Sequence, residues 1–237
     1  MKNIQTLRFL TQIFFLALII YGLNPLHADT ALVFILAATL LLGNFFCGWL
    51  CVFGSYQEFL GKLSNKLFNK TFSVPERLDK ALSTLRYLPI FITLVLIDET
   101  LNARRAFVYI FDGRPILQIT LIAFFVFSVL SLFIHRPFCR WLCVKGAGYG
   151  LLSLGRIVTI NKNNSCINCK KCNKSCPMSI DIAQKDTIID PRCINCLKCM
   201  SNCPVQGSLS FTTRGWLTAR NNAMFLGAVL FLFYIYK

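Results

Sequence analysis

Eight of the twelve cysteines fall in two runs of one spelling. Cys166, Cys169, Cys172 and Cys176, with Pro177 next, read C-x2-C-x2-C-x3-C-P, and Cys193, Cys196, Cys199 and Cys203, with Pro204 next, repeat it 27 residues on. Thiolates at this spacing ligate iron–sulfur cubes: three from a run close around one [4Fe-4S] cluster, while the fourth, turned away at the proline, reaches the other. The expected sets are therefore interleaved. Cys166, Cys169, Cys172 and Cys203 form one, and Cys193, Cys196, Cys199 and Cys176 form the other. Paired C-x2-C also builds zinc ribbons, but two matched four-membered runs each closed by proline favour the cubes. Every set is complete at four thiolates, so the chemistry expected is transfer of single electrons, and no catalytic residue is assigned. Lys162, Lys170, Lys171, Lys174, Lys185, Arg192 and Lys198 surround the runs. They have two open roles: offsetting the negative charge of the clusters or forming a docking face for an acidic redox partner.

Haem is not expected. Lys170 and Leu197 stand where C-x-x-C-H needs histidine, and the only two histidines, His27 and His135, fall at opposite ends of the apolar segments.

The other four cysteines belong to a longer repeat. The segment Phe46-Cys47-Gly48-Trp49-Leu50-Cys51-Val52-Phe53-Gly54 recurs as Phe138-Cys139-Arg140-Trp141-Leu142-Cys143-Val144-Lys145-Gly146, 92 residues on. Each copy ends an apolar stretch, which gives a parallel repeat of a two-helix hairpin with a pseudo-twofold axis along a membrane normal. If each copy is one helix, Cys47 and Cys51, like Cys139 and Cys143, share a face. Three readings stay open for these four thiols: ligands of a further iron–sulfur cluster, redox-active dithiols, or small apolar residues that help helices pack.

The elements that must position these residues are read from hydropathy. Of the 237 residues, 55% are hydrophobic and 15% charged, and the apolar ones gather in long runs at 9–23, 31–50 and 116–135, with weaker ones at 82–97 and 221–236. Runs of this length predict four to five transmembrane helices. Lys and Arg alternate between connections, and the segment from Arg136 to Arg220 carries thirteen of them, which assigns the cysteine-rich part to the cytoplasmic side of the inner membrane. Trp49, Trp141 and Trp216 are then expected at that boundary, and 55–70 as a helix lying on it. The net charge of +15 fits lipid headgroups and cluster charge better than nucleic acid, since no nucleic-acid-binding pattern accompanies it. The expected fold is a membrane all-α bundle with an inserted bacterial-type 2[4Fe-4S] ferredoxin-like α+β module. Its divisions are 1–156, a transmembrane region with both C-x3-C motifs; 157–213, the ferredoxin-like domain; and 214–237, a C-terminal transmembrane helix.

The pair FCGWLC at 46–51 and FCRWLC at 138–143, followed by the runs at 166–177 and 193–204, resembles the NapH/MauN-type membrane ferredoxins and the membrane portion of NosR-like proteins. The resemblance covers nearly the whole chain. It implies a four-helix core, clusters on the cytoplasmic side, and passage of electrons from membrane quinol towards a respiratory or periplasmic redox system. Val52 and Val144 depart from the family's C-x3-C-P, and the fifth helix exceeds the four of its plainest members. On this footing the expected function is an electron-transfer subunit, quinol dehydrogenase-like, between the quinone pool and redox-partner subunits. The alternatives are a maturation-type reductase, similar to CcoG-like proteins, and a redox sensor. Phe107, Tyr109, Phe111 and Asp112 are weak pointers to a quinol pocket.

Overall fold

The computed structural model describes residues 2–21, 29–68, 74–87, 103–113 and 115–213. These divide between two compact units. Of the described residues, the first holds 2–10, 29–49 and 148–213, and the second holds 11–21, 50–68, 74–87, 103–113 and 115–147.

In the first unit, two strands frame the cysteine runs. β1 (Val158–Lys162) and β2 (Leu209–Thr213) pair antiparallel with Ile160 opposite Phe211, and they bring the residues before the first run beside those after the second. The stretch between the runs returns to this ladder, because Ile188 N–H donates to the Ile160 carbonyl at 2.9 Å and Lys162 N–H to that of Asp186 at 2.7 Å. Ile160, Met178, Ile180, Ile182, Ile188, Ile194 and Leu209 are buried and form the apolar filling. Helix α2 (Asp29–Leu42) joins this unit through Leu40, whose carbonyl accepts from Ile157 N–H at 3.1 Å.

The second unit is built on aromatic packing. Helices α4 (Val52–Phe68), α6 (Ala103–Asp112) and α7 (Gln118–Phe133) converge on Phe53, Tyr56, Phe107 and Phe124, whose rings lie 5.1 to 6.2 Å apart. Phe138 meets Phe53 edge-on at 5.4 Å. Such tilted and edge-to-face pairs add about 0.5–1.5 kcal/mol each beyond their area burial. Phe107, one of the residues expected near a quinol, is thus a core residue here.

Acids hold the motif segment in place. Glu58 of α4 accepts from Arg136 at 2.6 Å, with side chains 5% and 1% exposed. Asp79 of α5 (Glu76–Leu85) pairs with Arg140 and accepts the Trp141 indole N–H at 3.0 Å. Charges this deep are stable only when paired and hydrogen-bonded.

The 92-residue repeat has a structural counterpart. α3 (Phe45–Trp49) corresponds to α8 (Pro137–Trp141), and α4 begins at Val52 as α9 (Val144–Leu152) begins at Val144. Yet neither C-x3-C lies on one helix. α3 ends at Trp49 and α8 at Trp141, so Cys51 and Cys143 sit beyond breaks, and the expectation that each pair shares a helical face is corrected.

The membrane reading is overturned. Among the described residues no helix is long and apolar enough to cross a membrane. The run at 31–50 is broken after Leu42 because Gly43 takes a left-handed φ of 84°, leaving α2 at 14 residues, about 21 Å at 1.5 Å per residue against a core of about 30 Å. α7 has 16 residues and stops before Arg136, whose φ of 50° turns the chain into Pro137. Helix α1 (Lys2–Ile20) carries Arg8 and Gln12 buried in its first two-thirds. The multi-pass bundle, the inner-membrane localisation and the cytoplasmic placement of the cysteine module all fall with this finding. Trp49 and Trp141 are buried with bonded indoles rather than lying at a lipid boundary, and of the stretch 55–70 residues 55–68 belong to α4, the rest lying outside the described residues. Of the weaker run at 82–97, residues 82–85 end α5 and 88–97 lie outside the described residues, as do the run at 221–236, Trp216 and His27.

Candidate metal centre

Each cysteine run folds by the same local device. Asn168 and Lys170 have φ of 54° and 56°, and Asn195 and Leu197, 27 residues on, have 49° and 58°. A left-handed residue on each side of the second cysteine reverses the chain twice within a few residues, which lets three thiols of one run face a common space. Asn adopts this conformation readily, whereas a bulky leucine does so only when its surroundings enforce it. Short helices follow in both runs, α10 (Lys171–Ser175) and α11 (Lys198–Ser201), and these pack on each other.

The thiols ring two cavities. Cys166, Cys169, Cys172 and Cys203 line one, with Ile167, Ile182, Pro204 and Leu209. Cys176, Cys193, Cys196 and Cys199 line the other, with Ile160, Met178, Ile180 and Ile194. In each cavity three thiols come from one run and the fourth from the other, so the two runs exchange a cysteine. Among the described residues no three His, Cys, Asp or Glu side chains close on a point at the spacing of a single-ion site.

Electrostatics follow the same grouping. The Cys172 thiol is raised, chiefly by burial and further by repulsion from Cys166 and Cys203. Burial pushes Cys176 up to about 12, with Cys196 and Cys193 adding repulsion, and Cys199 is raised for the same reasons. Cys172, Cys176 and Cys199, whose ionisation is disfavoured here, are accommodated as thiolates when a cationic core takes their charge, since metals bind the thiolate. The donor set therefore fits an iron–sulfur cube in each cavity, and the buried apolar lining of the second fits exclusion of water from it.

Polar side chains brace the loops. Asn173 Oδ1 accepts from the backbone N–H of Ile182 at 2.8 Å and of Ala183 at 2.9 Å, tying the first run to the stretch that leaves it. Cys203 Sγ lies 2.9 Å from Ser208 Oγ. Burial disfavours the charge on Asp190, but hydrogen bonds from Arg192 and Lys185 outweigh it and hold the carboxyl well below its usual range. Lys185 lies 2.7 Å from it and Arg192 3.0 Å, so these two cations are tied down inside the module.

The second cavity rests against the N-terminal segments of its own unit. A Cβ on Gly48 would lie 2.2 Å from the Ile194 carbonyl oxygen, and one on Gly150 2.1 Å from that of Pro191. Trp49 Nε1 donates to the Asn195 carbonyl at 3.1 Å, Gln5 Nε2 to that of Cys196 at 3.0 Å, and Arg8 Nε to that of Gly48 at 2.8 Å. Gln5, Arg8, Gly48 and Asn195 were not singled out by the sequence as supports. The recurring Asn at the left-handed position is the one signal that could have shown part of this.

Of the remaining four cysteines, Cys47 is half-buried on α3 in the first unit. In the second unit Cys51 and Cys143 pack against the aromatic core, Gly146 N–H donates to Cys143 Sγ at 3.2 Å, and Cys139 is half-buried on α8.

The comparisons with known proteins agree with this chemistry. The 4Fe-4S binding domain family matches residues 30–71 and again 116–158, the two copies of the longer repeat, and the 4Fe-4S dicluster domain family matches residues 158–204. The uncharacterized protein MJ0750 of Methanocaldococcus jannaschii is 36% identical over 165 residues, which is 65% of this chain and 67% of that protein. YccM of Escherichia coli, a candidate electron transport protein by name, is 35% identical over 68% of this chain and 49% of its own. The regulatory protein NosR of Pseudomonas aeruginosa is 32% identical over 59% of this chain and 21% of its own. The chain thus spans about half of YccM and a fifth of NosR. No solved structure matches it. NosR is among the relatives expected from the sequence. With cysteine-lined cavities, two 4Fe-4S families and a relative matched over two thirds of its length, the chain belongs to the 4Fe-4S ferredoxin-domain family that includes MJ0750.

Proposed function

We propose that this chain relays single electrons between the quinone pool and a redox-partner protein through two [4Fe-4S] clusters, one held by Cys166, Cys169, Cys172 and Cys203 and the other by Cys193, Cys196, Cys199 and Cys176. The observation that carries the reading is the exchange of Cys176 and Cys203 between cavities. Bound clusters of this type accept and release one electron at a time. The chain's own residues do the rest. The exchanged cysteines hold the two cavities side by side, the buried Ile160, Ile180, Ile182 and Ile194 keep water from the inner side, and Lys185 and Arg192, fixed by Asp190, keep positive charge close by. The quinone side and a place near the NapH/MauN branch rest on the motif pair at 46–51 and 138–143. The name of YccM, a candidate electron transport protein, supports electron transport as the outcome.

The test begins with iron and acid-labile sulfide in anaerobically purified protein, where about eight irons per chain are expected for two cubes. Cys203→Ala should disturb the cluster of the first run, and Cys176→Ala that of the second, as read by electron paramagnetic resonance. Reduction of the clusters by a quinol analogue checks the donor. Zinc in place of iron would overturn the cluster assignment, and clusters that no quinol reduces would overturn the quinone side.

A further inference from the structure

The two cavities are not equivalent in their surroundings. Around the second, Cys196 and Cys199 are buried and the loop is roofed by Gln5, Gly48 and Trp49. Around the first, Cys169 is exposed and Ile167 is 65% exposed, although an isoleucine inside a cysteine run has no need of water. Charge divides the same way. The module has three acids between β1 and β2, and each is engaged: Asp190 with Lys185 and Arg192, Asp186 with Lys162 at 3.3 Å, and Asp181 with the Asn173 amide. Lys170, Lys171 and Lys174 are exposed and face no carboxylate among the described residues. All three belong to the first run, within five residues of Cys169.

Building on the proposed relay, we propose that this face, Ile167 and Cys169 ringed by Lys170, Lys171 and Lys174, is the port at which an acidic redox protein docks to exchange electrons with the first cluster. Cations needed only to neutralise a cluster work best when tied beside it, as Lys185 and Arg192 are. Exposed, uncompensated ones instead steer an oppositely charged surface and raise its association rate, an effect that salt removes. Ile167 supplies the small apolar contact at the centre, where water must leave for electrons to cross over a short distance. The port names the outer end of the relay and makes the second cluster the inner one. In each encounter one electron leaves the reduced donor and one is gained by its acceptor, with no other bond made or broken.

The probes are an acidic flavodoxin and, as the opposite charge, cytochrome c, each mixed with the full chain carrying its clusters. Binding is read by calorimetry and electron transfer by stopped flow, from low to high salt. In Lys170→Glu/Lys171→Glu/Lys174→Glu, flavodoxin binding and transfer should both fall about tenfold or more at low salt, losing their salt dependence, while cytochrome c transfer holds or rises. Unchanged flavodoxin binding, or equal losses with both probes at full iron content, would overturn the port. Should the triple variant lose iron, Lys171→Gln/Lys174→Gln carries the same comparison with a smaller expected loss. Absence of iron–sulfur clusters from the unmutated chain would be the failure of the relay itself, a separate result from the failure of docking.

Discussion

Gly48 shows how closely one atom can govern the site. No side chain fits there, since a methyl group would lie 2.2 Å from the Ile194 carbonyl oxygen in the loop that carries Cys193 and Cys196. The contact is with backbone, which cannot swing aside as a flexible side chain can. Gly48→Ala should therefore cost about 1–3 kcal/mol, the usual range for overpacking, and push the second run off its seat. Iron analysis of that variant should show preferential loss from the second cluster, and a variant with full iron and unchanged stability would refute the role. At this scale the sequence was most informative. The exchange of Cys176 and Cys203 was legible from spacing and proline alone, because ligand geometry leaves few ways to arrange such runs. The seat itself was not, because glycine in a motif reads equally as a turn, and nothing in a sequence shows which carbonyl lies opposite.

Among the elements, the long apolar runs were the misleading signal. Hydropathy reports how apolar a run is and not whether one helix continues through it; on α7, Phe124 is buried while Ile122, Phe125 and Val129 stay more than half exposed. The run at 31–50 contains its own break at Gly43, where a Cβ would meet the Arg156 side chain at 2.9 Å as well as a left-handed backbone. The run at 116–135 ends at a buried Arg136. What escaped notice was the meaning of two acids in a strongly basic chain: Glu58 and Asp79 are the partners of Arg136 and Arg140, and they fasten α8 to α4 and α5. Removing Arg136 takes from Glu58 its buried partner and leaves the exposed Lys62 at 3.9 Å. Arg136→Ala should destabilise the second unit by about 3–5 kcal/mol, whereas replacing both partners, Arg136→Met with Glu58→Leu, should cost much less. Chemical denaturation of the two variants makes the comparison, and equal losses would remove the ion pair from the account.

For the molecule as a whole, the cavities imply that metal and fold are linked. Thiolates brought together in one cavity repel one another and favour an open loop unless iron holds them together. Chelation of iron from the intact protein should then raise amide exchange in 163–208, while amides in α4 and α7, whose stability rests on aromatic packing, keep their protection. Unchanged exchange in the cysteine loops would show that the module stands without its clusters.

The lending of one cysteine by each run to its neighbour also bears on synthesis. Three of the first cavity's four donors emerge early, but Cys203 is the last cysteine made, close to β2. A ribosome-bound chain that has reached only Cys176 can present a three-thiol pocket at best. On the proposed assignment both clusters would be completed late and nearly together, and a factor that delivers them would have to recognise an almost finished module rather than a nascent loop.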